Sequence, residues 1–163
     1  LYFDGGNDAI SYSFGAGQSN NTGRTYTILV SLREPWDFRQ FINTPSGSNQ
    51  RHYFGTYAGK AYWGEKTGDF ITGKGSNLPT NTLTEITFTI GASIGVAYVN
   101  GVAIGTNNTP TLFTYAGNLG IAQSLAGVSS HYGVVGYLIQ WEKTLTPSEV
   151  LESYNSNKAH YGW

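Results

Sequence analysis

The chain has 163 residues, with nine Lys and Arg against ten Asp and Glu, three His and no cysteine. That length suits one domain able to bury roughly 70% of its unfolded surface without a staple, and the lack of cysteine excludes disulfides and thiolate metal sites. Near-neutral charge without a basic run excludes a nucleic-acid groove, and no apolar run approaches the about 20 residues of a membrane-spanning helix.

Only 12% of residues are charged, against about 25% in ordinary domains. Gly, Thr, Ser, Asn and Tyr take their place. Gly and Asn supply turns with positive φ, and Tyr and Thr suit half-buried pleated surfaces. Weakly charged strands are open to edge pairing, which an assembly covering those edges would suppress. The chain has no Met and opens inside a strand-like segment, so it is expected to be a piece of a longer protein.

In chain order, residues 1–3 read as a strand closed by Asp4-Gly5-Gly6-Asn7-Asp8, after which Ile10, Tyr12 and Phe14 alternate. A polar loop follows at 15–23. Tyr26, Ile28, Val30 and Leu32 alternate next and predict a strand with one buried face. Arg33-Glu34-Pro35-Trp36-Asp37 breaks it. A short strand is expected at 38–43, a turn at 44–50, and a hairpin of 52–57 with 60–64 through Ala58-Gly59. Another loop occupies 73–81. In the second half, Ile86, Phe88 and Ile90 share a face, and Asn100-Gly101 marks a two-residue hairpin turn between 95–99 and 102–104. Residues 118–122 and 134–141 are the last strands. In the latter, Val135, Tyr137, Ile139 and Trp141 are expected on one face and Leu138 on the other. One helix is expected: Thr146 as N-cap, Pro147 at its first position, Glu149 closing a capping box, and Leu145 with Val150 as a hydrophobic staple. Many short strands with one terminal helix predict an all-β, antiparallel two-sheet sandwich.

Several of these segments are similar to a known family. Tyr2-Phe3-Asp4-Gly5-Gly6-Asn7-Asp8 resembles the opening strand and turn of laminin-G-like, concanavalin-A-like jelly-roll domains. Tyr98-Val99-Asn100-Gly101 resembles the family's hairpin, and Leu119-Gly120-Ile121-Ala122 its next strand. Residues 133–141 followed by Leu145-Thr146-Pro147-Ser148-Glu149-Val150 resemble its last strand and capped helix. The matches keep the family's order from first residues to last, while 15–75 carries little of them. The resemblance implies that 1–163 is a single jelly-roll domain with one short C-terminal helix. The tail, Tyr154-Asn155-Ser156-Asn157-Lys158-Ala159-His160-Tyr161-Gly162, resembles the ending of such domains in bacteriophage structural proteins, which implies a virion surface or fibre module. Two segments depart from the family. Leu83-Thr84-Glu85 stands where Trp-His usually opens a strand, and Gly136 and Tyr137 stand where acidic residues often occur. The second departure weakens transfer of a family calcium site.

Hydrolases share this scaffold, and laminarinase-like members carry a Glu-x-Asp-x-x-Glu run. The chain has none, and Glu34/Asp37 and Glu65/Asp69 read as loop or turn residues. Glycosidases need two carboxylates about 5–9 Å apart, so the expectation is a non-enzyme. The three histidines lack ligand spacing and read as surface or interface residues. Asp4, Asn7 and Asp8 offer hard oxygens of the kind calcium takes, and the competing reading is an Asx-type turn bonding its own backbone. No other cofactor is implied. Asn20 and Asn107 head glycosylation sequons.

Binding chemistry falls to the aromatics. Sugar rings present apolar C–H faces that stack on Tyr and Trp, with polar side chains taking the hydroxyls. Trp36 sits in a loop beside Arg33 and Asp37, and Tyr57, Tyr62 and Trp63 crowd the expected hairpin, with core packing as the competing reading. The expected function is a binding or structural module on an extracellular assembly, a phage virion foremost, that contacts surface glycan or neighbouring subunits, its own copies included. The alternatives are a secreted lectin or carbohydrate-binding module and, last, a divergent glycoside hydrolase.

Overall fold

The computed structural model describes residues 1–4, 10–13, 18–19, 23–34, 39–46, 50–65, 68–71, 76–108, 110, 114–115, 118–121 and 129–163. Its strands are β1 (Tyr2–Asp4), β2 (Ile10–Ser13), β3 (Gln18–Ser19), β4 (Arg24–Leu32), β5 (Arg39–Ser46), β6 (Gln50–Tyr57), β7 (Lys60–Glu65) and β8 (Gly68–Ile71). They continue as β9 (Leu83–Ile90), β10 (Gly95–Val99), β11 (Val102–Asn107), β12 (Thr114–Tyr115), β13 (Asn118–Ile121), β14 (Ser129–Ser130) and β15 (Tyr132–Trp141), and the chain closes with helix α1 (Pro147–Tyr161). A six-stranded sheet runs β1-β15-β4-β9-β10-β11. A seven-stranded sheet runs β2-β13-β5-β6-β7-β8, with β14 beside β5. Among the named strands only β14 and β5 pair in parallel. This is the expected two-sheet antiparallel jelly roll.

The inner faces meet in one core. Tyr26, Ile28, Val30 and Leu32 of β4 and Ile86, Phe88 and Ile90 of β9 pack against Phe41, Ile42, Phe54, Ala61 and Trp63 of the other sheet. Each such side chain taken from water is worth about 1.5–3 kcal/mol before the entropy of ordering it. Val99 and Ile121 are partly buried against this core. Phe41 and Ile42, neighbours in sequence, both enter it because the β5–β6 register shifts between Gln40 and Ile42. An extra residue on one strand lets two successive side chains take one face.

Three sequence expectations need correction. The 44–50 turn is mostly strand: β5 runs to Ser46 and β6 resumes at Gln50. Among the described residues β13 pairs with β5 at Asn43 and Ile42, so Pro45, near the end of β5, lies past that ladder. The common face given to Val135 and Tyr137 is broken by a register shift between them at Gly136. Val135 therefore points into the main core with Leu138, while Trp141 packs on the opposite side with Tyr98, Leu145 and Val150. Finally, β4 is buried along nearly its whole length, not on one face, because the outer face of its sheet is also covered.

The cover is α1 and its lead-in. Thr25 Oγ1 accepts the Leu145 N–H at 2.9 Å and donates to the Lys143 carbonyl at 2.9 Å, and Thr144 donates to the Ile90 carbonyl at 2.8 Å. The helix starts as expected. Thr146 accepts from the Glu149 N–H, Glu149 accepts from the Thr146 N–H at 2.7 Å, and Pro147 stands at the first turn. Lys143, at 2.7 Å from Glu149, holds that carboxyl down to about 2, with the Thr146 bonds adding to the effect. Gly162 closes the helix in the left-handed conformation. Thr146→Ala should cost about 0.5–2 kcal/mol in urea unfolding, and an unchanged midpoint would refute the capping role.

Candidate functional site

The β6–β7 hairpin positions the aromatic candidates. Its two-residue turn has Ala58 at φ 50 and Gly59 at φ 80, the primed geometry that keeps flanking strands in register. That register places Gly64 opposite Tyr53, Gly55 opposite Tyr62 and Lys60 opposite Tyr57. Side chains alternate faces along a strand. Phe54, Thr56, Ala61 and Trp63 therefore go inward, and Tyr53, Tyr57 and Tyr62 stand on the outer face.

The outer face is an aromatic array. Tyr53 and Tyr62 stack with centroids 5.7 Å apart and planes at 25°, and their hydroxyls bond at 3.4 Å. Tyr57 lies 6.0 Å from Tyr62. Gly64 makes room for this. A Cβ on Gly64 would sit 2.2 Å from Tyr53 Cε2 and 2.6 Å from the Tyr62 oxygen, so the rings lie across the backbone at that position. Tyr57 is 50% exposed and Tyr53 half-buried, whereas Tyr62 is 4% exposed and backs the other two.

Trp63 does not belong to this face. It is fully buried beside Phe54, at 5.9 Å between centroids, and Gly95 leaves the space its indole occupies, since a Cβ there would lie 2.0 Å from Trp63 Cη2. Of the two readings of Trp63, ligand contact from the hairpin and core packing, the structure shows core packing. His131, expected at the surface or an interface, is corrected in the same direction. It is fully buried, edge-on to Phe3 and Phe41 at 5.9 and 5.3 Å. Asn107 is 4% exposed, which closes its sequon.

Arg33 stands at the same end of the sandwich as the hairpin turn. The Leu78 N–H bonds the Gly59 carbonyl and the Asn81 N–H bonds the Leu32 carbonyl, each at 2.7 Å. Segment 78–81 thus ties the turn to the end of β4. Arg33 is exposed, donates to the Tyr132 hydroxyl at 3.1 Å, and lies 5.7 and 5.6 Å from the ring centroids of Tyr2 and Tyr132. Its guanidinium, followed by Tyr2, holds the Tyr132 phenol below its usual range. Asp4, opposite Tyr132 in the β1–β15 register, and Glu34 are exposed nearby. Neither Tyr2 nor Tyr132 was singled out from the sequence. They meet because β1 and β15 pair across nearly the whole chain. Arg39 pairs with Thr56, so the residues flanking 35–38 also stand at this end. Trp36 and Asp37, and the calcium candidates Asn7 and Asp8, lie outside the described residues. Among the described residues no group of three His, Asp or Glu has metal-ligand geometry, and no helix is long and apolar enough to cross a membrane.

With fold and site in place, comparison with known proteins assigns the class. The family described as the concanavalin A-like lectin/glucanases superfamily matches residues 4–151, and the chain belongs to it. No curated protein matches. Among solved structures the chain is similar to domain 4 of AbnA, a GH43 extracellular arabinanase from Geobacillus stearothermophilus, in complex with arabinotriose. The TM-score is 0.76 at 16% identity, over 93% of this chain and 74% of that one. It is also similar to a native heptameric SAP-like pentraxin from Limulus polyphemus, at TM-score 0.69 and 13% identity, covering 92% and 78% of the two chains. A third is the binding domain of botulinum neurotoxin serotype G, at 0.66 and 11%, covering 92% of this chain and 39% of that one. At these identities the likeness is one of fold.

Proposed function

We propose that the chain is a non-catalytic module that binds glycan on the outer face of β6 and β7. The observation that carries this is the array of Tyr53, Tyr62 and Tyr57 on the outer face of the sheet, with the rings of Tyr53 and Tyr62 lying over Gly64. Tyrosine joins a stacking face to a hydroxyl handle, and a few fixed polar groups beside aromatic surface are what a saccharide site needs. Lys60, opposite Tyr57, and Arg33 at the same end supply donors for sugar hydroxyls. The arabinotriose held by the arabinanase domain supports the reading by analogy of fold.

A role in contacting neighbouring subunits is the second reading, favoured by the heptameric pentraxin neighbour and by tyrosine's enrichment at interfaces. An extracellular setting accompanies the glycan reading and is supported by the extracellular arabinanase neighbour. Placement on a virion rests on the resemblance of the 154–162 tail. An immobilised glycan array incubated with the domain separates the readings: the proposal expects selective retention on particular saccharides, and a uniform blank would leave the bracing role. New reducing ends released from mixed polysaccharides would overturn the non-catalytic part.

A further inference from the structure

The six-stranded sheet carries a charge-capable group where none is expected. Glu85 of β9 is 1% exposed, on the outer face beneath α1. Its Oε2 accepts from the Tyr137 hydroxyl of β15 and from Asn157 Nδ2 of α1, the latter at 2.9 Å. Its Oε1 is buried without a hydrogen-bond partner among the described residues. Among the described residues no cation answers it. Leu29 of β4 lies beside it in register. Asn100, in the β10–β11 turn, bonds only its backbone, at 2.9 and 2.8 Å. From the helix, Tyr161 stacks 5.1 Å from Tyr137, His160 packs on Tyr161, and Lys158 lies over Tyr154.

We infer that Glu85 is a protonation-operated latch: α1 stays docked on the sheet while the carboxyl is neutral and loosens as it ionises. A buried ionised carboxylate without a cation is costly. Beyond Val150, which is buried, and Leu151 and Tyr154, which lie against Gly101 and stay partly exposed, the helix offers little apolar burial to offset it. Burial pushes the Glu85 carboxyl up, opposed by the bonds from Tyr137 and Asn157. The Tyr137 phenol is pushed up too, by burial and then by Glu85, so it remains a donor while Glu85 titrates. The docked state therefore holds the proton more tightly than the undocked one. Docking is strongest below the ordinary carboxylate range and is lost as pH rises through the raised value.

Hydrogen–deuterium exchange of the full chain, corrected for intrinsic rates, tests this between pH 4.5 and 9. Protection of the 150–161 amides should fall by about tenfold for each unit by which the carboxyl is raised, while protection in β4 stays flat. Glu85→Gln keeps an acceptor for both bonds and does not titrate, so its helix protection should be independent of pH. Flat protection of wild-type α1, or wild-type pH dependence in Glu85→Gln, would overturn the latch. Should that variant fail to fold, a carboxyl-carbon NMR titration of wild-type Glu85 decides. A raised midpoint coincident with helix loosening supports the latch, and an ordinary carboxylate midpoint refutes it.

Discussion

Trp63→Ala should lower unfolding stability by about 3–5 kcal/mol, the range for emptying a large aromatic site. The indole is fully buried, beside Phe54 and over Gly95 of the opposite sheet. Phe54 in turn contacts Phe88 at 4.5 Å and Tyr26 at 5.4 Å, so Trp63 is one member of an aromatic bridge between the sheets. Gly95, whose missing side chain exists to admit the indole, deepens the void when the ring is removed. Urea unfolding followed by far-ultraviolet circular dichroism reads the loss directly. A change below about 1 kcal/mol would place Trp63 outside the core.

Tyr57→Ala should do the reverse. Its ring is half exposed and lies 6.0 Å from Tyr62 on the outer face, so stability should move within about 0.5 kcal/mol. Glycan affinity should fall at least about tenfold, or about 1.4 kcal/mol, because an aromatic anchor on a rigid surface carries a disproportionate share of binding energy. Adjacent aromatics Tyr57, Tyr62 and Trp63 thus separate into anchor, backing and core.

That separation marks how far the residues alone can be read. Asn100-Gly101 and the Thr146/Glu149 box announced a hairpin and a helix start because their chemistry is local, and both stand as expected, Asn100 at φ 51 and Gly101 at φ 76. Tyr62-Trp63 gave no such guidance, since two adjacent aromatics satisfy either face of a strand. The deciding signal was present but needed the pairing. Once Ala58-Gly59 is taken as the turn, Gly55 and Gly64 fall on the face of Tyr53, Tyr57 and Tyr62, and glycine opposite tyrosine marks the outer side. Gly136 gives no sign in the sequence of the register shift between Val135 and Tyr137, which reverses the face of the later residues of β15. Glu85 was noted only as a departure from a family pattern. Its burial comes from α1, some 70 residues on, which no local periodicity encodes. Arg33 stands out in the sequence beside Trp36 and Asp37, but its tyrosine partners do not, for the same reason of distance along the chain.

Calorimetric titration of wild type, Tyr57→Ala and Trp63→Ala, with the saccharide most strongly retained on the array, tests the placement of the site most directly. Melting curves of the same preparations accompany it. The expected result is affinity lost in Tyr57→Ala at an unchanged melting temperature, and affinity kept by folded Trp63→Ala despite a lowered one. Wild-type affinity in Tyr57→Ala would contradict a glycan site on the outer face of β6 and β7.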